Sequence, residues 1–192
     1  MITLDLLDKN ISECRQRVKA GKEDPKTLEF LLSLRSDLEN ATQDDWVAYN
    51  ELVDHLPNEE ADPVLIILKG QLLIERLVRQ FVLSRLPNPE AFSKAQFTAA
   101  HCITIGESMC LKNDEPEWLW KQVRELNTIR NKLAHNLDYE SVEYRVNNFV
   151  STIANAQKLE NRTITGAIAR LYGMVKGLCD LSNDDEFRAF KI

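Results

Sequence analysis

One stretch near residue 130 combines residue types that could cleave a phosphodiester bond. It reads Leu-Asn-Thr-Ile-Arg-Asn-Lys-Leu-Ala-His-Asn and contains Arg130, Asn131 and His135. A histidine can accept or donate a proton near neutral pH. A guanidinium can hold two phosphate oxygens and stabilise the negative charge that develops on them. With Asn131, which could orient His135 or bind the phosphate, these residues could transfer protons and stabilise charge at a phosphate group.

The spacing of these residues constrains how they can meet. Asn131 and His135 are four residues apart and share one face of a helix, whereas about 140° separates Arg130 from His135 around an ideal helix. Either the helix ends before His135, or the long arginine side chain curls across. An alternative interpretation is structural: Arg130 takes part in an ion pair, and His135 is favoured at the helix C-terminus by the helix dipole.

The elements that carry this stretch are predicted to be helices, because apolar residues recur at helical spacing and no long alternating pattern occurs. We therefore predict an all-α helical bundle. An apolar stripe precedes the motif and predicts a helix with one buried face: Leu119, Val123, Leu126, Ile129 and Leu133. Helices are predicted over 3–19, from Asp24-Pro25 onward, and over 44–56, 63–86, 94–109 (capped by Ser93), 117–135, 138–159 and 163–181.

The segment Arg130-Asn131-x-x-x-His135 resembles the R-N-x-x-x-H motif of the HEPN superfamily. The order of elements over residues 61–160 is similar to that of small bacterial HEPN members, including mannitol-operon-repressor-like proteins. HEPN proteins are helical bundles, and many are metal-independent ribonucleases that act as toxins or in defence. The resemblance implies a HEPN-like core of four to five helices. It also implies that two subunits pair their motif helices across a twofold axis, giving one cleft with two arginines and two histidines.

Further residues are expected to support such a site. Glu75 lies in the most apolar predicted helix and should be partly buried, so it needs a partner. Arg130 is the first candidate for that partner, and Arg79, one turn along the same helix, is the alternative. Tyr139 follows the motif and could contact substrate. Four basic residues could form a local rim that binds RNA: Lys121, Arg124, Lys132 and Arg145.

Composition limits the remaining possibilities. The 192 residues include 24 Lys and Arg against 30 Asp and Glu, a net charge of −6, which argues against a broad nucleic-acid-coating surface. We predict an N-terminal helical extension (1–60) packed on a bundle (61–182), with an acidic tail (183–192). No apolar run approaches the roughly 20 residues of a membrane span. The four cysteines and three histidines show no metal-ligand spacing. We therefore expect a cytoplasmic protein with no cofactor, no metal site and no membrane contact.

Two functions of different classes follow from these observations. The first is a dimeric, metal-independent endoribonuclease that cleaves RNA. It would act as a toxin or defence component, and an antitoxin could be its partner. The second is a catalytically silent HEPN-like module that holds a protein partner, as a transcriptional regulator, antitoxin or immunity partner would. The acidic charge and the extra N-terminal helices favour the second, since neither is needed to cut RNA.

Overall fold

The computed structural model describes residues 4–40, 43–110, 116–136, 138–157 and 162–183. These residues form α-helices and no β-strand, which confirms the all-α prediction. The helices are α1 (Leu4–Lys19), α2 (Pro25–Glu39), α3 (Gln43–His55), α4 (Pro63–Arg85), α5 (Pro89–Lys94), α6 (Ala99–Met109), α7 (Trp118–Asn136), α8 (Glu143–Gln157) and α9 (Ile164–Asn183).

The chain divides into two compact units, Met1–Asn50 and Glu51–Ile192, with the division inside α3. In the first unit α1 packs on α2, and Asp8 forms an ion pair with Arg35. The carboxylates of Asp8 and Glu39 raise the pKa of the Arg35 guanidinium. The predicted packing of residues 1–60 on the rest of the chain stays a prediction, and residues 184–192 of the predicted acidic tail lie outside the described residues.

In the second unit, α4 is the helix around which the others pack. It contacts α5, α6, α7 and α9. Ten of its residues are buried, among them Val78, Phe81 and Val82, which have no exposed surface. A helix that is apolar on most sides belongs at the centre of its bundle. The side chain of Asp62 caps α4 by accepting a hydrogen bond from the Val64 amide at 2.7 Å, and Pro63 occupies the first turn.

The region between α4 and α7 differs from the prediction of one helix capped by Ser93. Ser93 lies inside the short helix α5, and Gln96 takes a left-handed conformation (φ 48°) that interrupts the chain before α6. Thr98 caps α6 instead: its hydroxyl accepts a hydrogen bond from the His101 amide, while His101 Nδ1 accepts one from the Thr98 amide, each 3.4 Å long. The exposed His101 is therefore a capping residue.

The start of α8 also differs from the prediction, which placed it at Asp138. The Asp138 carboxylate accepts a hydrogen bond from the Glu140 amide at 3.1 Å, and the Tyr139 carbonyl accepts one from the Val142 amide at 2.9 Å. These bonds hold a turn, and α8 begins after it at Glu143. Side chains of this kind compete locally with helix formation.

Candidate functional site

The three motif residues all lie inside α7, in its last two turns. Because α7 continues to Asn136, the option in which the helix ends before His135 is wrong. Asn131 and His135 are exposed and share a face, and Arg130 is half-buried. About 140° therefore still separates the points at which Arg130 and His135 leave the helix.

The buried stripe of α7 explains why Arg130 differs in exposure from its neighbours. Leu126, Ile129 and Leu133 are each at most 1% exposed, so this side of the helix faces the core. Arg130 follows Leu126 by four residues and leaves the helix only about 40° from it. Its aliphatic stem lies beside the core, and only a side chain as long as arginine can carry a charge from there into water.

A hydrogen bond turns the Arg130 guanidinium toward the exposed face of α7. Nη1 of Arg130 donates to Oδ1 of Asn131 over 3.0 Å. Asn131 lies about 100° around the helix from Arg130, in the direction of His135. The arginine side chain thus curls across the helix, as the second option required. Asn131 therefore orients the guanidinium. From the sequence we had expected it to orient His135 or to bind the phosphate.

Glu75 does not pair with Arg130, the partner that the sequence analysis ranked first. Its Oε1 accepts hydrogen bonds from Nη2 of Arg79 at 3.0 Å and from Nε at 3.2 Å. Nη2 of Arg79 also donates to the Phe97 carbonyl at 2.7 Å. The other carboxylate oxygen of Glu75 accepts a hydrogen bond from Gln71 at 3.2 Å. Glu75 is partly buried, as predicted, but its partners Gln71 and Arg79 both lie on α4, and it does not reach the motif.

The antiparallel packing of α4 and α7 explains why Glu75 does not meet Arg130. The amide nitrogen of Gln71 lies 3.4 Å from Oδ1 of Asn127, and the Phe81 ring centroid lies 6.0 Å from that of Trp120. Residue numbers therefore rise along α4 as they fall along α7. Arg130, almost one turn beyond Asn127, is carried away from Glu75 toward the first turns of α4.

Two of the four expected rim residues are already held by carboxylates. Nη2 of Arg124 donates to Oε1 of Glu107 at 3.0 Å, in a pair that involves both guanidinium ends. Nη1 of Arg145 lies 2.7 Å from Oε1 of Glu125.

The other two are lysines. Lys121 and Lys132 are exposed, and within the described part of the chain neither forms an ion pair. Lys121, Arg124, Asn131, Lys132 and His135 all lie on the exposed side of α7. The rim is therefore a polar face with fewer available positive charges than its composition suggested.

Two tyrosines near the start of α8 have different surroundings. Tyr139 is half-buried, and its pKa is raised by burial and, to a lesser extent, by the negative charge of Glu143. Tyr144 is 84% exposed, so it does not pack within the protomer. The buried residues Val146, Phe149 and Val150 define the inner face of α8, and their periodicity could have placed Tyr144 on the opposite face.

No three histidine, cysteine, aspartate or glutamate side chains gather where they could hold a metal ion, among the residues that the structure describes. In the same residues, no helix has both the length and the apolar character that crossing a membrane would require. The fold and site together define an all-α protein with a polar, arginine- and histidine-bearing face on α7. Comparison with known protein families, curated proteins and solved structures found no match for this chain.

Proposed function

We propose that this protein is a metal-independent endoribonuclease of the HEPN type that acts as a dimer, with Arg130 and His135 as its catalytic residues. One observation carries the proposal. In the last two turns of α7, the polar ends of Arg130, Asn131 and His135 are directed toward one solvent-exposed side, and Asn131 holds the guanidinium there. A purely structural arginine beside the core would instead be expected to bond to a neighbouring part of the fold, as Arg79 does to the Phe97 carbonyl and Arg85 to the Met109 carbonyl.

The reaction requires two proton transfers, which a dimer can divide between two histidines. The imidazole of His135 accepts the proton of the ribose 2′-hydroxyl while the 2′-oxygen attacks phosphorus and the P–O5′ bond breaks. The partner's His135, in its protonated form, gives a proton to the departing 5′-oxygen. Arg130 binds the non-bridging oxygens as negative charge develops. The products are a 2′,3′-cyclic phosphate and a 5′-hydroxyl.

The dimer also resolves the angular problem on α7. Within one protomer, about 140° separates the arginine and histidine positions. Two α7 helices that cross at a twofold axis would bring Arg130 of one protomer toward the partner's His135. Twofold dimers are the commonest protein assembly. Lys121, Arg124, Lys132 and Tyr139 would then border the cleft and bind the RNA strand on either side of the cleaved bond.

The test is cleavage of single-stranded RNA in the presence of a chelator. We expect His135→Ala and Arg130→Ala each to lower the rate by about 100-fold or more, the range for loss of a proton-transfer or charge-stabilising group. His55→Ala is a matched control, because His55 is also exposed and also lies in the last turn of its helix. Cleavage that survives His135→Ala at the rate of the unchanged protein would contradict the proposal.

Subunit mixing tests the shared cleft separately. The Arg130→Ala and His135→Ala proteins are unfolded together and refolded, so that mixed dimers form. A mixed dimer retains one Arg130 and one His135 on different protomers. We expect the mixture to cleave RNA faster than either variant refolded alone, which is the inactive reference, but more slowly than the unchanged protein, because only one His135 remains in the cleft. No recovery in a sample shown to contain mixed dimers would refute catalysis across the interface.

One observation favours the alternative of a catalytically silent regulatory or protein-binding module. Glu107 and Glu125 bind Arg124 and Arg145, which lowers the positive charge available for phosphates near α7. If the protein is such a silent module, the unchanged protein binds RNA no more tightly than its Lys121→Ala/Lys132→Ala variant and releases no cyclic phosphate. Expression in cells separates the two functions as well: a ribonuclease toxin would slow growth, and the Arg130→Ala variant would not.

A further inference from the structure

The exposed side of α4 is a narrow stripe in which leucines alternate with basic residues. Leu65, Lys69, Leu72 and Arg76 follow one another at intervals of four, three and four residues, so they lie on one face of the helix. Leu65 is 43% exposed and Leu72 is 56% exposed. The stripe runs over twelve residues, which gives a rise of about 16 Å or three turns. The outer side of this helix thus leaves two large apolar side chains in water, seven residues apart.

A cavity lies along this stripe. It has a volume of about 310 Å³ and is lined by His55, Lys69, Leu72, Leu73 and Arg76. Leu73 is only 4% exposed, so it forms part of an apolar floor. Ligand pockets commonly measure about 300–1,000 Å³, which puts this cavity at the lower limit. It is better suited to one large apolar side chain of a partner than to a whole small-molecule ligand.

A hydrogen-bonded network fixes one wall of the cavity. Arg76 forms an ion pair with Glu51, and Glu51 accepts a hydrogen bond from the buried Tyr172 hydroxyl at 3.2 Å. The guanidinium is therefore held before any partner arrives. A preformed wall lowers the entropy that a partner must remove on binding.

The exposed charged residues of α4 are all basic, in contrast to the acidic chain as a whole. Every residue of α4 is described, and its exposed residues include Lys69 and Arg76 but no acidic residue. The only carboxylate in α4 is Glu75, which is bound to Arg79. Lys69 forms no ion pair within the described residues, and His55 on the cavity rim is exposed. Because Glu51 neutralises Arg76, Lys69 supplies the free positive charge of this face, which attracts an acidic group of a partner although the protein carries a net charge of −6.

We propose that this stripe, from Leu65 to Arg76, is a docking site for an acidic amphipathic helix of another protein. A helix laid along α4 places apolar residues at intervals of three, four and seven over Leu65, Leu72 and the cavity. Its acidic residues then lie beside Lys69 and the cavity rim. This site is separate from the α7 face, so the proposal does not depend on ribonuclease activity.

Two other occupants fit the face less well. A second copy docking through the same stripe would place the positive Lys69 of both protomers in one interface without an exposed acidic residue of α4 to offset them, because a twofold interface pairs each patch with itself. An anionic membrane is attracted by clusters of about four to eight basic residues, whereas here one of two basic residues is already neutralised by Glu51. A concave cavity also suits an inserted side chain better than a lipid surface.

The experiment selects the partner chemistry without assuming it. Full-length protein is used to select binders from a displayed library of helical peptides. Leucine is fixed at positions 1, 4, 5 and 8, which form one apolar face of a helix, and all other positions are randomised. We expect the selected peptides to be enriched in Asp and Glu. Fluorescence anisotropy then measures their affinity for the unchanged protein and for Leu72→Asp and Lys69→Glu, each expected to bind at least about tenfold more weakly.

Val53→Asp is the matched control, because Val53 is 57% exposed and lies on α3 outside the cavity lining. It should bind the selected peptides as the unchanged protein does. The proposal is overturned if no helix is selected, if the selected helices are basic, or if they bind Leu72→Asp undiminished. It is also overturned if Leu72→Asp dissociates a dimer in sedimentation, or abolishes binding to vesicles of anionic lipid. RNA cleavage should be unchanged in Leu72→Asp, so failure here and failure of the ribonuclease proposal are distinguishable.

Discussion

Replacing Gly70 with alanine tests the packing of α4 against α9. Gly70 is buried, and a Cβ atom added there would lie 2.6 Å from Cδ1 and 2.7 Å from Cγ2 of Ile168. Ile168 has no exposed surface, so its side chain cannot swing into solvent to make room. Either the isoleucine adopts a poorer rotamer or the two helices separate slightly.

The expected magnitude is the difference between two effects. Inserting a methyl group into a filled core costs about 1–3 kcal/mol, and alanine stabilises a helix interior by about 1 kcal/mol relative to glycine. We therefore expect Gly70→Ala to lower the free energy of unfolding by about 1 kcal/mol. In Gly173→Ala on α9, nothing lies within 4 Å of the added Cβ, so only the helix term remains. The free energy of unfolding of Gly173→Ala should therefore rise by about 0.5–1 kcal/mol.

Urea denaturation followed by tryptophan fluorescence and far-ultraviolet circular dichroism measures both variants. The reasoning also predicts coupling. Ile168→Val removes Cδ1, one of the two clashing atoms, so the double variant Gly70→Ala/Ile168→Val should be more stable than the sum of the two single losses predicts. If Gly70→Ala stabilised the protein as much as Gly173→Ala does, the close approach of α4 and α9 at Gly70 would be refuted.

Three further predictions follow from other contacts. Arg79→Ala should lower the free energy of unfolding by about 1–3 kcal/mol in urea denaturation, because Glu75 keeps a half-buried charge without its partner; Arg79→Lys should lose less. Glu107→Gln, made in a non-cleaving background, should raise RNA affinity in anisotropy titrations if Arg124 contacts RNA, because it frees that guanidinium; unchanged affinity would remove Arg124 from the RNA-binding set. Burial raises the pKa of Tyr172, so the folded state keeps a proton that the unfolded state loses above about pH 10. Stability should therefore fall as the pH rises through that range, and urea midpoints should fall less steeply in Tyr172→Phe.

The helices could be predicted largely from sequence because their signals are local. The apolar stripe from Leu119 to Leu133 places the motif on α7, and every stripe residue is buried. Asp62-Pro63 predicted the start of α4, where Asp62 is the capping residue. The prediction erred at Ser93, which lies inside α5, and the left-handed Gln96 moves the start of the helix expected from residue 94 to Ala99. A single non-glycine residue in that conformation leaves little trace in a periodicity pattern.

The candidate site could be predicted in its residues but not in its contacts. That Arg130 and His135 lie on one helix follows from their spacing. That Asn131 holds the guanidinium depends on which rotamer the core leaves open to Arg130. The exposed Tyr144 lies opposite the buried residues of α8, so the periodicity of that helix indicates its face although not what contacts it.

What the sequence alone determined is the helical architecture, the burial of the α7 stripe and the position of Arg130, Asn131 and His135 along that helix. Periodicity and capping act over a few residues, so the sequence contains them directly. Only the tertiary structure decided which charges pair across helices. Arg124 meets Glu107 over 17 residues and Arg145 meets Glu125 over 20, and the antiparallel register of α4 and α7 carries Arg130 away from Glu75. Such pairings depend on the relative placement of whole helices, which the burial of many apolar side chains fixes collectively.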